Sequence, residues 1–291
     1  MKRGTVCPPR FTYMKSLVRS TLCALYKYSG AMSLREKIER LGGHSFVVVL
    51  LFHRVTDEIP EDALTVGTRF FRKLCLMLRN RFRVMSLAEA MDMNRQGQPF
   101  PARSVVITFD DCYHNNLWAA RTLAEYGLPA CFFMPSGYVD TERVFPWDAG
   151  LRSMPNLSWA DVREMAALGH EIGSHTVNHV DMAKVSDDEA RRELAESKRT
   201  IEEHVGQPVR WFAFPFGGKA NCADEHFCPM IHELGYDACF SGHGGFIHAG
   251  SQEQVLPRQP IPTFDSLIHL ELFLNGSLGW IQSLKRKVGL V

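Results

Sequence analysis

Val105-Val106-Ile107-Thr108-Phe109-Asp110-Asp111 is the stretch that decides how this chain folds. Five β-branched or aromatic residues in a row leave no polar face, the pattern of a strand buried on both sides. The run then ends in two adjacent carboxylates. Two neighbouring ionised side chains repel each other, and the end of a buried strand offers little water, so something positive must sit beside them.

Outward from this run the same pattern recurs. Short apolar runs at 46–52, 130–134, 170–174, 209–214 and 237–240, and a further one near 254–257, read as strands. Helical patterns fall between them near 68–80, 113–126, 158–168, 186–205, 226–235 and 264–274. The segment 186–205 is the clearest: Ala190, Leu194, Ile201 and Val205 make one stripe, and Ser186 followed by Glu189 has the form of a capping box. Strand–helix alternation with apolar strands gives an α/β fold, a parallel sheet covered by helices. The number of units favours closure into a barrel or near-barrel. With no repeat or linker after residue 45, the chain reads as one barrel domain over 46–275. An accessory helical segment, 1–45, precedes it, and a basic tail, 276–291, follows.

Parallel α/β folds gather their chemistry at the C-terminal ends of the strands. Asp110 and Asp111 close one strand, His53 closes another, and His175 follows the strand 170–174 with His179 four residues on. Phe214-Pro215-Phe216-Gly217 closes the strand 209–214. One of the two carboxylates with the imidazoles of His175 and His179 is a ligand set for a catalytic divalent ion, Zn²⁺ first, with Co²⁺, Mn²⁺, Ni²⁺ or Fe²⁺ open. The other carboxylate, held off the metal, is then placed to act as a base. Side chains of adjacent strand residues point to opposite sides, so a bend after Asp110 must bring both carboxylates to the ion. Cys112 follows that bend and is expected near the metal, where its oxidation would lower activity.

The formal charge of +1 in 291 residues gives no broad basic face and argues against nucleic acid as a partner. No apolar run reaches the roughly 20 residues that span a bilayer. Lys15, Arg19 and Lys27 interrupt the early apolar residues, so no cleavable leader is read. Eight scattered cysteines show no compact disulfide framework, and the expected location is cytoplasmic. Leu17, Thr21, Leu22, Leu25 and Tyr28 share a helical face, and Lys285-Arg286-Lys287 adds charge near the end, which leaves peripheral membrane contact through the basic termini open. Cys222 with His226, and Cys228 with His232, would face opposite ways on a helix, against a structural zinc site there.

The ordered motifs resemble those of the polysaccharide deacetylases, the NodB-homology carbohydrate esterases, over about residues 46–260. Thr108-Phe109-Asp110-Asp111 matches the first family motif, and His175-Thr176-x-x-His179 the second. Phe214-Pro215-Phe216-Gly217 is similar to the third, and Leu51-Phe52-His53-Arg54-Val55 to the opening strand of one branch. The resemblance implies a distorted (β/α) barrel and a metal-dependent hydrolase that removes an N-acetyl group from an amino sugar or polysaccharide. It implies Asp110 as catalytic base and Asp111, His175 and His179 as metal ligands. Pro215, Phe216, Gly217, His243 and Arg258 are the candidate substrate-binding residues. Three departures stand out. Cys112 replaces a glycine, Ala213 stands where the family often has an arginine that orients the base, and Leu256-Pro257-Arg258 lacks the family's late histidine. The proton donor is therefore open, with His53 the first candidate and His243 the second. The same site acting on another C–N bond, a formamide or cyclic ureide, or a non-catalytic sugar-binding descendant, are the alternatives.

Overall fold

The computed structural model describes residues 45–150, 154–261 and 266–277, with 21, 25, 26, 28–30 and 264 besides. Leu17 and Leu22 of the N-terminal amphipathic face therefore fall outside the described residues, as does the basic tail beyond 277. The chain divides into two compact units, 45–262, and 1–44 together with 263–291. The second unit contains the helix Leu267–Leu274, which the sequence pattern had grouped with the barrel.

In the 45–262 unit the chain runs β1 (Phe46–Phe52), β2 (Arg54–Val55), β3 (Thr65–Val66), α1 (Thr68–Arg81), β4 (Arg83–Val84), α2 (Leu87–Arg95) and β5 (Ser104–Phe109). It continues through α3 (Asn115–Glu125), β6 (Cys131–Met134), α4 (Trp159–Ala167), β7 (Glu171–Ser174), α5 (Asp187–Val205) and β8 (Trp211–Ala213). Then come α6 (Cys228–Glu233), β9 (Ala238–Phe240), β10 (Ile247–His248), β11 (Val255–Leu256) and β12 (Gln259–Pro260). The path β11-β9-β8-β7-β6-β5-β1 is parallel throughout. At the far edge of β1, β12 pairs parallel and β10 antiparallel. Because β11 and β12 are separated only by Pro257-Arg258, the chain crosses the gap between the two sheet edges, and the barrel is nearly closed.

Alternate strand residues explain the unbroken apolar runs. Val47, Val49, Val106, Cys131, Phe133, Trp211, Ala213, Ala238 and Phe240 pack together in one buried cluster with Met85, Leu87, Ala90, Met91 and Phe100. The residues between them face the helices: Phe52 stacks on Phe109 and Phe109 on Phe132, at 5.1 and 4.8 Å between centroids, with Phe71 of α1 edge-on to the first two. β1, β5 and β6 are therefore core on both faces, which is why their apolar runs are nearly unbroken.

Helix α2 was not foreseen from the sequence, although its signals are local: Ser86 caps it by accepting from Glu89 N, and Leu87, Ala90 and Met91 are its buried positions. Its first turn is tied to the start of β7, where the Glu171 carboxylate accepts from Leu87 N at 2.6 Å, Ala88 N at 3.1 Å and Trp211 Nε1 at 2.9 Å. Among the described residues no helix is long and apolar enough to cross a membrane.

Candidate metal centre

Strand β5 holds Asp110 in the ladder, its N–H donating to Phe52 O at 2.9 Å. The next two residues leave the strand in left-handed conformation, Asp111 at φ 76° and Cys112 at φ 51°. That bend turns both carboxylates into one buried site. It is strained for non-glycine residues, and the strain is concentrated here: five of the eight described non-glycine residues with positive φ are Asp111, Cys112, Thr176, His179 and Phe216, all in or beside the motifs.

His175 follows β7 and is buried, as is His179. His175 Nδ1 lies 2.8 Å from Ala213 O, a pure acceptor, so Nδ1 carries the proton and Nε2 offers a lone pair. Burial pushes the His175 imidazole down to about 4, with the neighbouring His179 adding to the effect and the aspartates opposing it. Asp111 Oδ1 is 3.2 Å from His179 Nε2 and 3.6 Å from His175 Nε2, yet it is buried and satisfied by no hydrogen bond among the described residues. Ligand atoms of Asp111, His175 and His179 all lie within 4.8 Å of one another. A buried, unsatisfied carboxylate oxygen between two imidazoles fits a divalent cation, and among the described residues this is the cluster that does. Cys222, His226, Cys228 and His232 form no such cluster: His226 pairs with Asp187, and Cys228 lies against Cys239.

The loop carrying the histidines is clamped from α5. Glu193 Oε2 accepts from Val177 N and Asn178 N at 2.8 Å each, and Oε1 accepts from Asn178 Nδ2 at 2.6 Å.

Arg258 is fully buried in the segment that crosses the barrel seam. Its guanidinium grips Asp110 with two parallel bonds, Nη1 to Oδ1 and Nη2 to Oδ2, each 2.7 Å, while Nε donates to Ser241 O at 2.9 Å. Burial works to raise the Asp110 pKa, but Arg258 and then His175 and His53 hold it below the usual carboxylate range. For Asp111, burial is likewise opposed, here by His179, His53 and His175, and the balance leaves its carboxyl well below that range. Arg258 has no surface to offer a substrate. As a candidate substrate-binding residue it therefore stands apart from the rim, and its guanidinium fixes the orientation of the Asp110 carboxylate instead.

The other candidates divide by exposure. Phe216 is 56% exposed, with its ring 4.9 Å from that of His179, and stands at the rim. Pro215 and Gly217 are buried, so they shape the turn rather than present a surface. A Cβ on Gly217 would come within 2.6 Å of Gly242 N, and Gly217 O already accepts from that N–H at 2.7 Å. His243, next along from Gly242, is exposed. His53 is half-buried beside the two aspartates, and its Nδ1 is buried without a hydrogen-bond partner among the described residues. Cys112 is buried against the site, and burial followed by the charge of Asp111 pushes its thiol well above the ordinary value.

Sequence reasoning missed a second polar group beneath the rim. Arg54 is 2% exposed and bonds Asp148 at 2.5 Å, Thr65 Oγ1 at 2.9 Å and Asp62 at 3.0 Å. Tyr113 Oη donates to Asp148 Oδ2 at 2.6 Å and accepts from Trp147 Nε1 at 3.0 Å. Apart from Arg54 in β2 and Thr65 in β3, these residues lie in connections without periodicity, and only the charged Arg54 inside an apolar context gave any signal.

The comparisons agree with this geometry. A family model described as polysaccharide deacetylase matches residues 97–239. The poly-beta-1,6-N-acetyl-D-glucosamine N-deacetylase of Escherichia coli is 27% identical over 262 residues, covering 77% of this chain and 38% of that protein. A putative polysaccharide deacetylase of Bacillus subtilis is 25% identical, covering 58% of this chain and 56% of that one. The chain thus spans well under two thirds of the length of these curated relatives. In fold it is similar to a de-N-acetylase from Aggregatibacter actinomycetemcomitans, with TM-score 0.63 and 21% identity, over 79% of this chain and 100% of that one. It is also similar to IcaB from Ammonifex degensii, with TM-score 0.61 and 23% identity, over 75% and 92%. With its motifs brought to one rim of a nearly closed parallel barrel, the chain matches the polysaccharide deacetylase family over residues 97–239.

Proposed function

We propose that this protein is a metal-dependent hydrolase that removes the N-acetyl group from an amino sugar or N-acetylated polysaccharide. The observation that carries it is the division of labour between two adjacent carboxylates. Asp111 faces two imidazoles with an unsatisfied oxygen, while Asp110 is turned to Arg258 and kept ionised. A site for metal binding alone has no use for the second, separately held carboxylate.

Asp111, His175 and His179 hold the ion, with Zn²⁺ the first choice for this ligand set and Co²⁺, Mn²⁺, Ni²⁺ or Fe²⁺ open. When bound, the ion supplies Lewis acidity at the acetamide oxygen and lowers the pKa of water. Asp110 accepts the proton as water adds to the acetamide carbon. The backbone N–H of Phe216, which donates to no described residue, is placed at the rim to stabilise developing negative charge on oxygen. His53 donates to the departing amine; its unpartnered Nδ1 and closeness to both aspartates favour it over the exposed His243.

Acetate release from N-acetylglucosamine oligomers by purified protein tests the reading. Release that stops with a chelator, returns with Zn²⁺ and is abolished in Asp110→Asn is the expected result. Absence of release from a panel of N-acetylated saccharides, with the metal site demonstrably filled, would reject it.

A further inference from the structure

Three aromatic rings stand in a row beside the metal centre. Tyr138 stacks on Phe145 at 4.2 Å with 6° between planes, and Phe145 stacks on Trp147 at 4.8 Å with 16°. Tyr138 and Phe145 are buried, whereas Trp147, the last ring of the stack, keeps part of its surface. Its indole lies 5.1 Å from the ring of His179 and 6.0 Å from exposed Phe216, edge-on to both. An indole tied to a buried stack on one side and open beside a hydrolytic centre offers a flat apolar surface to the C–H face of a pyranose.

The indole is also held in place by hydrogen bonds. Trp147 Nε1 donates to Tyr113 Oη, Tyr113 Oη donates to Asp148 Oδ2, and Asp148 Oδ1 is paired with Arg54. Every donor in this chain meets an acceptor, and it ends on an ion pair whose members are 2% and 4% exposed. A buried charge pair is costly to desolvate, and its service here is to fix the neutral groups hung on it.

We infer that Trp147 is a saccharide-stacking platform of the metal site, and that Tyr113, Asp148 and Arg54 are positioning residues that lock its indole. The class of ligand rests on the function proposed above; the platform itself rests on the ring geometry.

The test titrates a tetramer of β-linked N-acetylglucosamine into Zn²⁺-loaded Asp110→Asn protein, with and without Trp147→Ala, Trp147→Phe or Tyr113→Phe. The kinetics of the same three substitutions are measured on the Asp110 background. Loss of the indole is expected to weaken binding and raise KM by about tenfold or more, the scale of one lost aromatic contact. The value of kcat should change by less than about threefold, since a platform binds ground and transition states alike. Trp147→Phe should restore most of the loss, and Tyr113→Phe, which removes the indole's acceptor together with the donor to Asp148 but keeps the indole, should fall between. Zn²⁺ affinity, read by competition with a chromophoric chelator, should stay unchanged in all three.

Unaltered tetramer binding in Trp147→Ala overturns the inference. So does a loss matched by an equal loss of Zn²⁺ affinity, which would make Trp147 a prop for His179. Protein that binds tetramer through Trp147 but releases no acetate defeats the proposed reaction and leaves the platform standing. Protein that binds no tetramer overturns both.

Discussion

Arg258 and Asp110, 148 residues apart in sequence, form a fully buried bidentate ion pair with both bonds at 2.7 Å. The arginine reaches Asp110 from the barrel seam, so closing the barrel and orienting this carboxylate are one structural event. Arg258→Met should therefore act on both. Without its partner, the buried Asp110 binds a proton more readily, because desolvation is then opposed only by the histidines. The acidic limb of the pH–rate profile should move to higher pH and kcat should drop by about 100-fold or more. Stability should fall by about 3–5 kcal/mol, the range for a broken buried pair. Arg258→Lys, which retains the charge without the fork, should shift the limb less. Rates across pH together with urea unfolding check this, and a limb that does not move in Arg258→Met would show that the pair does not set the base.

The metal-free protein should be acid-sensitive in two stages. His175 is held at about 4, below its ordinary 6.5, so between these values the unfolded chain takes a proton that the folded chain refuses. The unfolded state then binds more protons, and stability falls as pH falls through that window, by roughly 3 kcal/mol for the one group. Asp110 and Asp111 are depressed below the ordinary 3.8, so their stabilising share is full above that value and is lost below it. Urea unfolding of chelator-treated protein at pH 7, 5 and 4 reads the first stage. Replacing His175 by Asn should flatten the slope between pH 6.5 and 4; an unchanged slope would assign the sensitivity elsewhere.

Much of this was legible because burial leaves a simple mark on sequence. β1 and β5 are core on both faces, so their apolar runs gave the strand limits directly, as did the stripe and Ser186 cap of the helix Asp187–Val205. The strand-end residues Asp110, Asp111, His175 and His179 could be placed at one rim because parallel strands share a direction. Arg258 could not be placed, since its role depends on which edges the segment 255–260 joins, and two-residue strands carry no periodic signal. Trp147 and Asp148 lie in a 3-10 turn, where function follows from three-dimensional neighbours alone. Helix Leu87–Arg95 was lost for a different reason: it is only nine residues long, and its apolar residues pack on the barrel cluster without making a long stripe.

The expectation that oxidation of Cys112 lowers activity does not follow from the structure. The side chain is 2% exposed. Burial, with Asp111 beside it, keeps the sulfur a protonated thiol, whereas attack on peroxide or a disulfide reagent needs an exposed thiolate. Native protein should therefore leave Cys112 unlabelled by a thiol reagent at pH 7.5 while denatured protein reacts at once. Cys112→Ser should leave the response to peroxide as it was. Mass spectrometry of labelled peptides gives the answer, and rapid native labelling of Cys112 would mean that the site opens in solution.

Glu193 supplies the last prediction. Its carboxylate accepts three N–H groups of Val177 and Asn178, which lie between His175 and His179, and the backbone there includes two left-handed residues, Thr176 and His179. Strained backbone persists only where its surroundings over-determine it. Glu193→Ala frees three donors and lets the loop relax, so His175 and His179 should lose their common focus. Zn²⁺ affinity should fall by about 10–100-fold, the usual effect of removing an outer support of a metal ligand. Glu193→Gln keeps one carbonyl acceptor and should lose less. Competition with a chromophoric chelator measures the affinity directly, and activity at saturating Zn²⁺ separates the cases. Recovery of rate with added metal marks a positioning role, whereas a rate that stays low at full metal occupancy would mean that Glu193 acts on the reaction by another route.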